Sequence, residues 1–275
     1  MVAGIGVLYF DVHPNSVERL PVTLTESSVL AVIPARFAST RLPGKILADI
    51  GGKPMIEHVY RRASAAESVH ATIVATDDAR IASAVEAFGG VAIMTRPDHV
   101  SGTDRIAEVV GQLPCLAVVN VQGDEPLIEP STIDAAVQPL IDDPTVAMST
   151  LSRPFASADE FANPNVVKVV TNLAGDALYF SRAPIPYPRT SAAVEPVPTA
   201  ARAHVGLYVY RREALLKLAA TPPAPLELEE SLEQLRALSH GMAIRVVPTT
   251  HVAAGVDTPE DLDRVRSLLL SPVRT

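Results

Sequence analysis

The chain has 275 residues, enough to bury a sizeable core as one large domain or as one domain with a subdomain. Lys plus Arg number 23 against 31 Asp plus Glu, and the net charge of −8 opposes binding to nucleic acid or to an anionic membrane surface, both of which select a basic face. Six Phe, six Tyr and no Trp leave few rings on which bases could stack. The single cysteine, Cys115, excludes an internal disulfide framework and a multi-cysteine metal site, and its place in the apolar run LPCLAVVNV predicts a buried thiol. No apolar run approaches the roughly 20 residues of a membrane helix, and the N-terminus lacks the basic start and cleavage site of a leader. A cytoplasmic protein is the expectation.

Residues 1–28 precede the first core strand and read as an extension, which leaves 29–275 as a single domain. Strands are expected at 29–33, 71–75, 91–94 and 116–121, with helices at 54–66, 78–88 and 103–112 between them; Pro54 suits the first position of its helix. Continuous apolar runs such as VVNV fit strands buried on both faces. Strand–helix alternation of this kind defines an α/β fold, a doubly wound and mostly parallel sheet, in which ligands bind outside the carboxyl ends of the strands. Further strands are expected at 146–151, 166–170, 177–180, 204–210 and 243–247, and helices at 212–220 and 226–239. The Pro-rich stretch 183–199 reads as a loop. Thr258-Pro259-Glu260-Asp261 opens a last helix with an N-cap, a proline at N1 and an acid at N3.

The segments after the strands carry the chemistry. Pro34-Ala35-Arg36-Phe37-Ala38-Ser39-Thr40-Arg41-Leu42-Pro43-Gly44-Lys45 gathers three cations in a loop of small residues and prolines on an otherwise acidic chain. A triphosphate would account for them: arginine offers forked donors to phosphate oxygens, lysine a mobile point charge, and small residues expose backbone N–H groups. A solvated basic loop is the plainer alternative. The loop is not of the Walker type, because Gly44-Lys45 is followed by Ile46 rather than Ser or Thr, and no dinucleotide glycine fingerprint occurs in the first turn. Gly123-Asp124-Glu125, after the buried strand ending at Val121, suits a carboxylate aimed at Mg²⁺, although Gly-Asp also makes ordinary turns. Asp257 precedes the cap of the last helix; capping explains Thr258 and Asp261 but leaves Asp257 able to reach a metal.

PARFASTRLPGK, ATDD, SGTDR, VNVQGDEP, NPNVVK, LYFSR, HVGLYVYR, LEQLR and GVDTPEDL follow one another in this order. On these motifs residues 29–268 resemble CMP-Kdo synthetase, the 3-deoxy-manno-octulosonate cytidylyltransferase family. The resemblance implies a nucleotide-sugar-transferase-like, Rossmann-like fold: a mixed, mostly parallel sheet flanked by helices. It also implies a homodimer, with a sugar-acid-binding and dimer subregion at about 150–240. The implied reaction is Mg²⁺-dependent transfer of CMP from CTP to the anomeric hydroxyl of Kdo, with release of pyrophosphate. By motif position Arg36, Arg41 and Lys45 would contact the phosphates of CTP and act as the catalytic cations. Pro34, Ala35, Ala75, Thr76, Asp77, Ser101 and Thr103 would form the cytidine pocket. Asp124 and Asp257 would hold the metal. Gln122, Arg182, His204, Tyr208, Glu233 and Gln234 would meet the sugar acid. The family usually places an arginine before the histidine of HVGLYVYR, where this chain has Ala203 preceded by Arg202. The alternative substrates are therefore related acids such as 8-amino-Kdo or a sialic-type sugar.

Overall fold

The computed structural model describes residues 20, 22–38, 42–189, 197–252 and 254–270. β1 (Val29–Ala35) is apolar along its whole length, and its alternate residues feed two different cores. Val29, Ala31, Ile33 and Ala35 point to one side of the sheet, while Leu30 and Val32 point to the other. β4 (Ala71–Thr76) and β6 (Ala117–Asn120) flank β1 in parallel, and β5 (Ala92–Met94) continues the parallel run beyond β4. One face is covered by α1 (Met55–Ser64), α2 (Ala79–Ala87), α4 (Pro130–Asp142) and α9 (Pro259–Leu270), the other by α3 (Gly102–Val110) and α6 (Arg212–Ala219). Helices on both faces bury β1, β4 and β6, as their sequence requires, while Met94 at the end of the edge strand β5 is exposed.

β10 (Arg202–Arg211) joins the second half to the first by pairing antiparallel with β6 and with β7 (Met148–Arg153). β11 (Arg245–Pro248) closes that edge parallel to β7, and β8 (Lys168–Thr171) and β9 (Ala177–Ser181) form an antiparallel wing on β10. The resulting order is β11-β7-β10-β6-β1-β4-β5, a mixed sheet whose carboxyl-end crevice lies above β1, β4 and β6.

The structure amends several expectations. Pro54 is the N-cap of α1, because it pairs in the short hairpin of β2 (Asp49–Ile50) and β3 (Lys53–Pro54), turned by Gly51 and Gly52 at φ 64° and 82°. The helix expected at 226–239 is two helices, α7 (Pro225–Glu230) and α8 (Gln234–Ser239), divided at Ser231 with φ 50°. α4 and the short α5 (Ala158–Ala162) were not anticipated. Cys115 is buried, and burial pushes its thiol up to about 11, as an inert structural residue. The cap of α9 forms as expected: the Thr258 hydroxyl accepts from Asp261 N, and Asp261 accepts from Thr258 N. Of the 1–28 extension, Leu20 and Leu24 pack against the core. Among the described residues no helix is long and apolar enough to cross a membrane.

Candidate functional site

A cavity of about 400 Å³ opens at the carboxyl ends of β1 and β6, lined by Pro34, Arg36, Ala38, Lys45, Ile46, Gly102, Gln122, Gly123, Asp124 and Asp257. Its centre is Lys45, which follows Gly44, a residue held at φ 69° in the left-handed region that glycine tolerates. The Lys45 ammonium donates to Asp124 Oδ2 at 2.6 Å, to Asp257 Oδ1 at 2.9 Å and to the Val256 carbonyl at 3.1 Å. These partners are 79, 211 and 212 residues away in sequence, so only the folded sheet brings them together. Burial opposes the charge on Lys45, but the bonds and charges of the two aspartates outweigh it and raise its pKa.

Two neighbouring contacts set this geometry. Gly123 runs so close to β1 that a Cβ there would lie 3.0 Å from Ile46 Cδ1 and 3.3 Å from the Pro34 carbonyl. Val256 N donates to the Asp124 carbonyl at 2.9 Å, which fastens the segment before α9 to the loop after β6. Glu125 parts company with Asp124: it does not line the cavity, and burial together with the charge of Asp124 lifts its carboxyl to about 7.

The expected base-pocket residues gather around the starts of α2 and α3. Thr76 is buried and its hydroxyl accepts from Asp78 N at 3.2 Å. Ser101 caps α3 by accepting from Asp104 N, so its hydroxyl already has a structural partner, and Gly102 packs against Pro34. Asp77 faces Arg105, which sequence reasoning left without a role although it lies in the quoted SGTDR motif. The guanidinium of Arg105 is fully buried, pairs with Asp77 at 3.3 Å and donates to Thr95, while its Nε and Nη2 have no partner among the described residues. Arg36 donates to the His99 carbonyl at 2.6 Å. Arg41 lies outside the described residues.

Of the six expected sugar-acid contacts, Gln122, Tyr208, Glu233 and Gln234 line one small cavity of about 80 Å³ together with Thr103 and Tyr210. Gln122 also belongs to the larger cavity, so the two adjoin. Glu233 Oε1 is buried without a partner among the described residues, and burial raises its carboxyl. His204 stands beside this cavity, its ring 5.4 Å from that of Tyr208 and its Nε2 2.9 Å from the Thr150 hydroxyl. Burial lowers its pKa to about 3, so the ring is neutral near pH 7 and serves as a hydrogen-bonding group rather than a cation. Arg182 is placed differently: its guanidinium donates to the carbonyls of Glu230, Pro164 and Ser231 and ties the start of the 183–199 loop to α7. Ala203 is fully buried on the opposite side of β10 from His204, and strand alternation puts Arg202 on the His204 side.

Among the described residues no group of three or more His, Cys, Asp or Glu forms a metal cage. The donor set does fit a Mg²⁺ that completes its shell with phosphate and water, because two carboxylates already converge on one cation, the Lys45 ammonium.

A cytidylyltransferase family model matches residues 30–244. The chain is 56% identical over 246 residues to 3-deoxy-manno-octulosonate cytidylyltransferase of Syntrophotalea carbinolica, covering 88% of this chain and 98% of that relative. The Solibacter usitatus protein of the same name is 54% identical over 245 residues, covering 89% and 96%. A solved structure of CMP:2-keto-3-deoxy-manno-octonic acid synthetase complexed with CTP superposes with a TM-score of 0.83 at 48% identity, covering 88% of this chain and 98% of that one. 4-Diphosphocytidyl-2C-methyl-D-erythritol synthase, at 14% identity and a TM-score of 0.60, shares the fold. Fold, crevice and family match together define the chain as a nucleotidyltransferase of the cytidylyltransferase class. Within that class it belongs to the 3-deoxy-manno-octulosonate cytidylyltransferase family.

Proposed function

We propose that the chain transfers CMP from CTP to the anomeric hydroxyl of Kdo, with Mg²⁺ as cofactor. The observation that carries this reading is the convergence of Lys45, Asp124 and Asp257 in a crevice beside the polar cavity of Gln122, Tyr208, Glu233 and Gln234. The hydroxyl oxygen attacks the α-phosphorus of CTP, the bond from that phosphorus to the bridging oxygen breaks, pyrophosphate leaves, and the hydroxyl proton is released. Charge grows on the leaving group. Lys45, Arg36 and Arg41 are the cations the motif supplies to meet it. Asp124 and Asp257 would hold Mg²⁺, which neutralises phosphate charge when bound. Pro34, Ala35, Ala75, Thr76, Asp77, Ser101 and Thr103 would enclose cytidine, with Asp77 oriented by Arg105. Gln122, Glu233 and Gln234 would orient the sugar hydroxyls, and His204 and Tyr208 would flank them. Arg182 acts in this reading by shaping the loop, since backbone carbonyls occupy its donors.

The reading also takes the chain as a cytoplasmic homodimer. Leu173, Leu178, Leu226 and Leu228 are exposed in the 150–240 subregion, where self-association would cover them. Light scattering tests it. Pyrophosphate release from CTP and Mg²⁺ with Kdo, 8-amino-Kdo or N-acetylneuraminate, against an Asp124→Ala control, tests the reaction. Release with Kdo and none in the control is the expected result. Release with another acid alone would move the substrate, and release unaffected by Asp124→Ala would refute the assigned metal site.

A further inference from the structure

The loop that carries Lys45 is tied to α2, none of whose own residues has a place in the proposed chemistry. Phe37 leaves β1 into that loop, and the Arg80 guanidinium carbon lies 3.4 Å from the centroid of its ring. The same ring packs on Gly44, where a Cβ would come within 3.1 Å of Phe37 Cζ, and Gly44 N donates to the Phe37 carbonyl at 3.1 Å. Arg80 is itself held in one plane: its Nε and Nη2 donate to the two oxygens of Asp78 at 2.9 and 2.6 Å. Asp78 in turn caps α2 through Arg80 N at 2.9 Å. The path runs from the start of α2 through a flat guanidinium to Phe37, then to Gly44, and from there to the residue that bridges both aspartates.

Surface ion pairs contribute little to folding, and Arg80 is 62% exposed on its side chain. Its geometry is nonetheless specific: only a planar, delocalised cation can stack on a ring while forking onto a carboxylate. Asp78 also follows Asp77, the acid expected at the base pocket. Two successive aspartates thus hold two arginines, one beneath the base pocket and one on the phosphate loop.

We propose that Arg80 is a positioning residue for triphosphate binding, which it serves by stacking on Phe37 and fixing the stem that presents Lys45. This rests on the reading of Arg36 and Lys45 as contacts to the triphosphate. Arg80 touches no reacting atom in this proposal; it holds Phe37 and Gly44, and through them Lys45, in the position from which the ammonium meets the phosphates.

The test compares Arg80→Ala, Arg80→Lys, Phe37→Leu and the Arg80→Ala/Phe37→Leu pair by calorimetric titration with CTP and with CMP, in the absence of sugar. Steady-state pyrophosphate release follows for each variant. Arg80→Ala is expected to weaken CTP binding and raise its KM about three- to tenfold, with kcat held. CMP, which lacks the outer phosphates, should bind as to the wild type. Arg80→Lys should stay weak, because charge without the planar stack does not order the ring. The double variant should be no weaker than either single variant, since both break one path. Unchanged CTP affinity in Arg80→Ala, equal losses with CMP and CTP, full rescue by lysine, or additive losses would each overturn the proposal. A wild-type chain that binds CTP but releases no pyrophosphate with any sugar acid would refute the proposed reaction alone, and the binding measurements would still decide the role of Arg80.

Discussion

Replacing Lys45 with methionine keeps the unbranched stem and removes the cation between Asp124 and Asp257. The ammonium bonds them at 2.6 and 2.9 Å, while the two carboxylates are 30% and 46% exposed, so solvent screens much of the attraction. A net stability loss of about 1 kcal/mol follows, or a melting temperature lower by roughly 2–4 °C for a chain of this size. Because the folded pKa of Lys45 is raised, this contribution is fully present below the lysine's unfolded pKa and disappears as pH rises through the folded value, on the alkaline side of 10.5. Activity should suffer far more. Loss of a cation from the leaving group lowers kcat/KM by about 10²- to 10³-fold. Mg²⁺ and the ammonium compete for the same two carboxylates, so Mg²⁺ should raise the melting temperature of Lys45→Met more than that of the wild type. Melting curves in EDTA and in Mg²⁺, beside a pyrophosphate-release assay, measure all three quantities. A variant that keeps wild-type kcat/KM, or gains less stability from Mg²⁺ than the wild type, would refute the reasoning.

Three further outcomes are expected. Gly123→Ala should lower kcat about tenfold or more while costing about 1–3 kcal/mol, since the added methyl meets Ile46 Cδ1 and the Pro34 carbonyl and must move Asp124; Gly123→Ala/Ile46→Val should recover part of the loss, and no recovery would show that the clash is not the cause. Arg236→Met leaves the buried Glu227 carboxylate without the guanidinium that bonds it at 2.6 and 2.8 Å, at a cost of about 3–5 kcal/mol in urea unfolding, whereas Arg236→Met/Glu227→Met should be far milder. His204, with its pKa lowered to about 3, contributes stability that falls as pH drops from its unfolded value near 6.5, at a slope of at most about 1.4 kcal/mol per pH unit; His204→Gln should flatten that acid limb of a melting-temperature profile, and an unchanged limb would count against a neutral buried ring.

The parallel half of the fold was legible because strands buried on both faces must be apolar throughout, and β1, β4 and β6 are. α4 escaped notice because Pro139 interrupts its interior, although Pro130 at its first position and the spacing of Ile133, Ala136, Val137 and Leu140 were readable signals. The β2–β3 hairpin carried its own mark in Gly51-Gly52. The break between α7 and α8 left no such mark, since serine rarely takes the left-handed conformation that Ser231 adopts. Within the site, the cationic loop and Asp124 follow from strand ends alone. Asp257 was legible as the acid that the helix cap leaves unexplained, but its meeting with Asp124 at Lys45 joins residues far apart in the chain. The engagement of Arg182 with backbone carbonyls and of Arg105 with Asp77 depends on contacts across elements, which no local pattern encodes.

The hydrogen bond from Val256 N to the Asp124 carbonyl has a consequence for the order in which the protein is made. Domains fold as units, and Val256, Leu262 and Val265 belong to the same core as β1 and β6, so the cavity wall is complete only once the last residues have joined it. The second carboxylate arrives only with residue 257, when α9 docks through Leu262 and Val265 onto the core. A chain clipped ahead of that segment would lack Asp257, the Val256 bond to the Asp124 loop and the α9 side chains that pack on the core. Half of the acidic pair on Lys45 is thus supplied by the last stretch of the chain.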